Sequence, residues 1–81
     1  MAARDDILRM LDQARRAPVP VKPGSNLCTD LGLDSLAFMQ LLLRIEDAFG
    51  IAFSLPELRQ CLQAGRLIAL VEEKIRSLPH D

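Results

Sequence analysis

The stretch that decides the fold is Asp30-Leu31-Gly32-Leu33-Asp34-Ser35-Leu36-Ala37-Phe38-Met39-Gln40-Leu41-Leu42-Leu43-Arg44-Ile45-Glu46-Asp47-Ala48-Phe49. Its second part is a helix in waiting. Asp34 is a helix N-cap, because its carboxylate can accept a backbone N–H that lacks an intrahelical partner. The helix is predicted over 35–49 and ends at Gly50, a residue suited to the position after a C-terminus. Ser35 then becomes the first helical residue, with its hydroxyl in solvent beside the positive end of the helix. That end favours an anion such as a phosphate ester.

This helix is the most apolar segment of the chain. Leu41, Leu42, Ile45 and Phe49 share one face and are its core candidates. Met39 and Leu43 lie four residues apart on another side. A helix apolar nearly all round is either central in a bundle or offers part of its surface to a partner.

Working outward towards the N-terminus, a loop of about 17 residues precedes it (18–34). Pro18, Pro20 and Pro23 forbid helix, and Pro23-Gly24-Ser25 reads as a turn. Loops this long are uncommon in compact domains unless they are functional or disordered. Leu27, Leu31 and Leu33 argue for order, as apolar anchors that hold the loop on the bundle and fix Ser35 at a defined point. Gly32 is expected to supply a positive φ or a close approach. Before the loop, Ile7, Met10, Leu11 and Ala14 recur at helical spacing, with Leu8 widening the stripe. The first helix is therefore predicted over 3–17, with Asp5 and Asp6 in its first turn, Arg15 and Arg16 in its last, and Pro18 ending it.

Towards the C-terminus, Ile51-Ala52-Phe53 is a connector expected to tuck under the bundle. Ser54-Leu55-Pro56-Glu57 matches a capping box. A short third helix is predicted over 55–63, with Leu58 and Cys61 or Leu62 inward, stopped by Gly65. A fourth is predicted over 66–77, with Ile68, Val71, Ile75 and Leu78 inward and Leu67 and Leu70 flanking. Pro79-His80-Asp81 is read as a frayed tail.

Composition agrees with one small helical domain spanning residues 1–81. The chain has 81 residues, 49% of them hydrophobic but only 4% aromatic, with neither tryptophan nor tyrosine. A chain of this size buries only about 60–65% of its unfolded surface, so it has one modest core. Leucine, isoleucine, valine, methionine and alanine fill it. The expected fold is all-α: a small four-helix bundle, three main helices and one short one, with a long ordered loop between the first two.

Net charge is −1 and the ten basic residues are scattered. That argues against nucleic acid, and against a helix-turn-helix DNA binder in particular. No apolar run approaches the length of a membrane span, and the acidic pair Asp5-Asp6 sits where a signal peptide would turn hydrophobic. A cytoplasmic monomer is the expectation. Cys28 and Cys61 lack metal-ligand spacing and read as small apolar residues in a reducing compartment. Asp30 and Asp34 are too few oxygen ligands for a calcium site, so no metal is expected. The one histidine, His80, lies in the tail. Ser35 therefore has no general base, and no catalytic residue is assigned.

Leu31-Gly32-Leu33-Asp34-Ser35-Leu36 resembles the attachment motif of acyl and peptidyl carrier proteins, and the order of helices extends the resemblance from about residue 4 to residue 78. The resemblance implies a non-catalytic protein whose Ser35 is esterified to 4′-phosphopantetheine. Asp34 would serve both as cap and as an acid that helps the installing enzyme. It implies as partners a phosphopantetheinyl transferase, an acyl- or aminoacyl-loading enzyme and downstream biosynthetic enzymes, which would meet Leu36, Met39 and Leu43. Fatty-acid-type carriers have a strongly acidic second helix. Here Ala37, Gln40 and Arg44 stand where acids would often be found. The pattern leans towards polyketide, nonribosomal peptide or related natural-product biosynthesis. The other readings are a fatty-acid synthesis carrier and a helical interaction module without a prosthetic group.

Overall fold

The computed structural model describes residues 3–79. Four α-helices follow one another: α1 (Ala3–Ala14), α2 (Ser35–Phe49), α3 (Leu55–Leu58) and α4 (Ala64–Arg76), with a 3-10 turn at Gln60–Leu62 between the last two. No strand forms among the described residues, where one isolated antiparallel bridge joins Asn26 to Gln63. The all-α bundle expected from the sequence is the observed fold.

α1 packs closely on both α2 and α4. Its Ile7 and Leu11 are fully buried, and they meet Leu41, Leu42 and Ile45 of α2 and Leu67, Ile68 and Val71 of α4 in one apolar cluster. Burying each such side chain contributes about 1.5–3 kcal/mol before chain entropy is counted. Phe38 and Leu70 are buried as well, whereas Phe49 and Ile75 are only half-buried at the edge.

The first helix is shorter than its sequence pattern. It ends at Ala14, so Arg15 and Arg16 lie beyond its last turn and Pro18 is not what stops it. The cause is a competing acceptor. The Arg15 N–H still reaches back to the Leu11 carbonyl at 2.9 Å, but the next two N–H groups, of Arg16 and Ala17, donate instead to the Leu31 carbonyl at 2.8 and 3.1 Å. The loop thus takes over the helix's hydrogen bonding three residues early.

The same loop closes the start of α4. Gln63, the N-cap residue, makes no side-chain cap. The orphan N–H groups every helix start leaves are met by loop carbonyls: Ala64 donates to Ser25 at 2.9 Å and Gly65 to Pro23 at 2.8 Å. Gly65 therefore belongs to the first turn of α4 and does not stop the preceding helix. A β-carbon there would lie 2.9 Å from the Pro23 carbonyl oxygen. α4 accordingly starts and ends earlier than the expected 66–77.

The third helix is also shorter than expected. After Leu58 the chain tightens into the 3-10 turn, and Gln63 is extended (φ −105°, ψ 131°). The Leu27 N–H donates to the Leu62 carbonyl at 2.7 Å. The chain must open there to pair with the loop, so a continuous helix over 55–63 cannot form. Leu58 and Leu62 are half-buried and Cys61 is fully buried. Burial raises the Cys61 thiol to about 11, which makes it a poor nucleophile.

Candidate functional site: the start of α2

All three loop leucines are buried, Leu27 and Leu31 at 0% exposure and Leu33 at 4%. Between them the chain forms a compact turn held by Asn26 and Asp30. The Asn26 side-chain oxygen accepts the N–H groups of Cys28 and Thr29, both at 2.9 Å, while Asp30 Oδ2 accepts the Asn26 N–H at 2.7 Å. Asp30 is thus spent on the loop's own backbone. Gly32 then takes a positive φ of 79°. A β-carbon there would meet Ala17 N at 3.4 Å, the edge of ordinary van der Waals contact, so of the two reasons expected for this glycine the positive φ is the one that decides.

Two residues later the chain reaches Asp34, in extended conformation (φ −80°, ψ 176°), and α2 begins at Ser35. Asp34 Oδ1 accepts the Ala37 N–H at 2.7 Å, the N-cap bond anticipated from sequence. Its other oxygen, Oδ2, accepts from Arg16 Nη1 at 3.1 Å. The Ala37 N–H, with help from Arg16 and the Leu36 N–H, holds the Asp34 carboxyl below its ordinary range. Sequence reasoning missed the Arg16 contact. It placed Arg16 inside α1, and only the early end of that helix turns its side chain towards Asp34.

Ser35 is exposed. Its hydroxyl is carried on the first residue of a 15-residue helix whose far end is closed by Gly50 in the left-handed conformation (φ 66°). Leu36, Met39 and Leu43 are exposed too, at 68, 41 and 55%. With 100° between successive residues, the three fall within an arc of about 60° on α2. The structure therefore sets Ser35, its cap and a strip of exposed apolar side chains along about the first two and a half turns of α2. No His is present among the described residues, His80 lying outside them, and no cluster of three or more His, Cys, Asp or Glu there could hold a metal ion. No described helix is long and apolar enough to cross a membrane.

Residues 7–71 match the family model described as a phosphopantetheine attachment site. The chain belongs to the acyl carrier protein family. It is 41% identical over 56 residues to the acyl carrier protein MbtL of Mycobacterium tuberculosis, covering 69% of this chain and 67% of that protein. It is 31% identical over 65 residues to an acyl carrier protein of Nitratidesulfovibrio vulgaris, covering 80% of this chain and 86% of the relative. Against the acyl carrier protein of Helicobacter pylori, identity is 27% over 74 residues, with 90 and 95% covered. The cofactor of this carrier family is 4′-phosphopantetheine. The helix start fits such a group: a phosphodiester on Ser35 would sit in water at a helix N-terminus, and nothing buried would have to move to admit it.

Proposed function

We propose that Ser35 is the attachment point, and that the protein is a non-catalytic carrier which presents covalently held biosynthetic intermediates to separate enzymes. The observation that carries this is the exposed hydroxyl on the first residue of α2, directly after the Asp34 cap and at the end of a loop pinned by three buried leucines. The terminal thiol of the arm, once installed, holds an acyl or aminoacyl cargo as a thioester.

The chain's own residues contribute position. Asp34 fixes where the helix starts. The loop holds that start against α1 and α4. Ser35 Oγ becomes the phosphate ester oxygen, displacing adenosine 3′,5′-bisphosphate from coenzyme A, while its proton passes to a base of the phosphopantetheinyl transferase. Leu36, Met39 and Leu43 form the strip by which that transferase, the loading enzyme and downstream enzymes hold the monomeric carrier. Tethering supplies a high effective concentration of cargo, so these contacts need only be weak. The nearly uncharged first part of α2 favours natural-product biosynthesis, polyketide or nonribosomal peptide, over fatty-acid synthesis.

Intact mass spectrometry tests the reading. With coenzyme A and a broad-specificity transferase, the wild-type protein should gain one phosphopantetheinyl group and Ser35→Ala none, with unchanged helical circular dichroism. A wild-type protein that stays unmodified, or modification that persists in Ser35→Ala, overturns it.

A further inference from the structure

The first eleven residues of α2, 35–45, carry a single formal charge, the cation Arg44. Arg44 is exposed and takes part in none of the ion pairs among the described residues. On the helix surface it follows directly after the apolar strip: Leu36, Met39 and Leu43, then Gln40 and Arg44. Beyond it the loop that follows α1 brings up a second guanidinium, Arg16. Between the two lies a cleft of about 180 Å³, lined by Arg16, Gln40 and Arg44 together with apolar residues that include Leu33 and Leu41.

The size of this cleft limits what enters it. Small-molecule sites run from about 300 to 1,000 Å³, so this one suits the tip of a side chain rather than a free ligand. Its chemistry limits the occupant further. Guanidinium groups present N–H donors in a fork that matches a carboxylate, and Arg16 uses only Nη1 on Asp34. Of the pair, Arg16 is balanced by Asp34, whereas Arg44 meets no acid in any ion pair among the described residues. Asp34 is engaged by Arg16 and by the Ala37 N–H, and Asp12 by Arg15. Glu46 accepts the Phe53 N–H at 2.8 Å. Asp47, a turn beyond Arg44, makes no ion pair with it.

Resting on the carrier reading above, we infer that the Ser35 end of α2 docks to a protein partner whose surface pairs an apolar groove with a flanking Asp or Glu. The apolar groove receives Leu36, Met39 and Leu43, and the carboxylate pairs with Arg44 at the mouth of the cleft that Arg44 shares with Arg16. Charge complementarity at this surface thus runs with the cation on the carrier. It sets orientation more than affinity, as exposed charge pairs do.

The test uses two synthetic amphipathic helical peptides with the same leucine face, one flanked by glutamate and the other by lysine. Each is titrated into the ¹⁵N-labelled protein, with Ser35→Ala titrated in parallel so that the outcome does not depend on installation of the arm. The glutamate peptide should shift the amide signals of Leu36, Met39, Leu43 and Arg44, and should bind about fivefold more tightly than the lysine peptide at low salt, the difference closing at high salt. Arg44→Glu, an exposed change that circular dichroism should show to be folded, should reverse the preference. Equal affinities, shifts mapping elsewhere, or no binding of either peptide would overturn the inference. So would a preference unaltered by Arg44→Glu.

Discussion

Two connections hold this bundle together, and they are made of different materials. The loop over 15–34, which delivers Ser35, is secured to the bundle chiefly by buried leucines and by main-chain hydrogen bonds to the end of α1 and the start of α4, its carboxylates Asp30 and Asp34 closing only its own turn and the helix start. The connection over 50–63 is secured by carboxylates. Glu46 accepts the Phe53 N–H, and Glu57 returns to the Ser54 N–H at 2.7 Å while pairing with Lys74 at 2.8 Å. Lys74 also lies 5.8 Å from the centre of the Phe53 ring. The difference teaches where the molecule can tolerate a change of medium. Apolar burial and backbone bonds respond little to acid or moderate salt, whereas carboxylate pairing responds to both.

The largest effect that would break this contrast is predicted at Leu31. Leu31→Ala removes a fully buried side chain and should cost about 2–5 kcal/mol in urea denaturation. It should also lower the efficiency with which Ser35 is modified, because the loop that fixes the α2 start is loosened. A loss below about 1 kcal/mol would mean that the backbone bonds, and not the leucines, hold the loop. Gly65→Ala should come next. Overpacking against the Pro23 carbonyl, about 1–3 kcal/mol, outweighs the gain of about 1 kcal/mol from replacing glycine in a helix. Gly24→Ala, where a β-carbon meets nothing within 4 Å, should show no such loss.

Acid should separate the two connections more finely. Lys74 and the Ser54 N–H lower the Glu57 carboxyl from its ordinary 4.5 to about 2. The stability this adds is complete above 4.5 and is lost as pH falls from there towards 2, because the unfolded chain takes up the proton first. Glu57→Gln should flatten that part of the stability curve and cost no more than about 1 kcal/mol at neutral pH. The smallest effect belongs to Arg16→Gln. Its pair with Asp34 is about 60% exposed on both sides, so the denaturation midpoint should not move measurably. The Asp34 carboxyl should titrate at higher pH in a ¹³C-detected titration, though only modestly, since the Ala37 N–H lowers it more than Arg16 does.

What the sequence made legible was whatever rests on one residue and its near neighbours. The Asp34 cap, the span of α2, the Gly50 closure, the positive φ of Gly32 and the return of Glu57 to Ser54 all follow from local chemistry. So did the three loop leucines, whose apolarity made no sense in a solvated linker. What escaped were bonds between distant parts of the chain. The early end of α1 depends on a carbonyl 15 residues beyond Arg16, and the start of α4 on carbonyls about 40 residues before it. Gly65 looked like a breaker because its neighbour, the Pro23 carbonyl, is invisible in the sequence. At the site itself, Ser35, Leu36, Met39 and Leu43 could be read off as a helix face, but Arg16 could not. Its place beside Asp34 follows from the shortened α1.

The double duty of the Leu31 carbonyl reaches into how the molecule breathes. Because that oxygen receives the protons of Arg16 and Ala17 together, neither exchanges with deuterium until the segment after α1 and the loop part from each other. Local fraying of α1 is thereby coupled to release of the Ser35 end of the loop. In a deuterium-uptake experiment those two amides should keep pace with Leu27 and Leu33, behaving as one opening unit rather than as the loose tip of a helix.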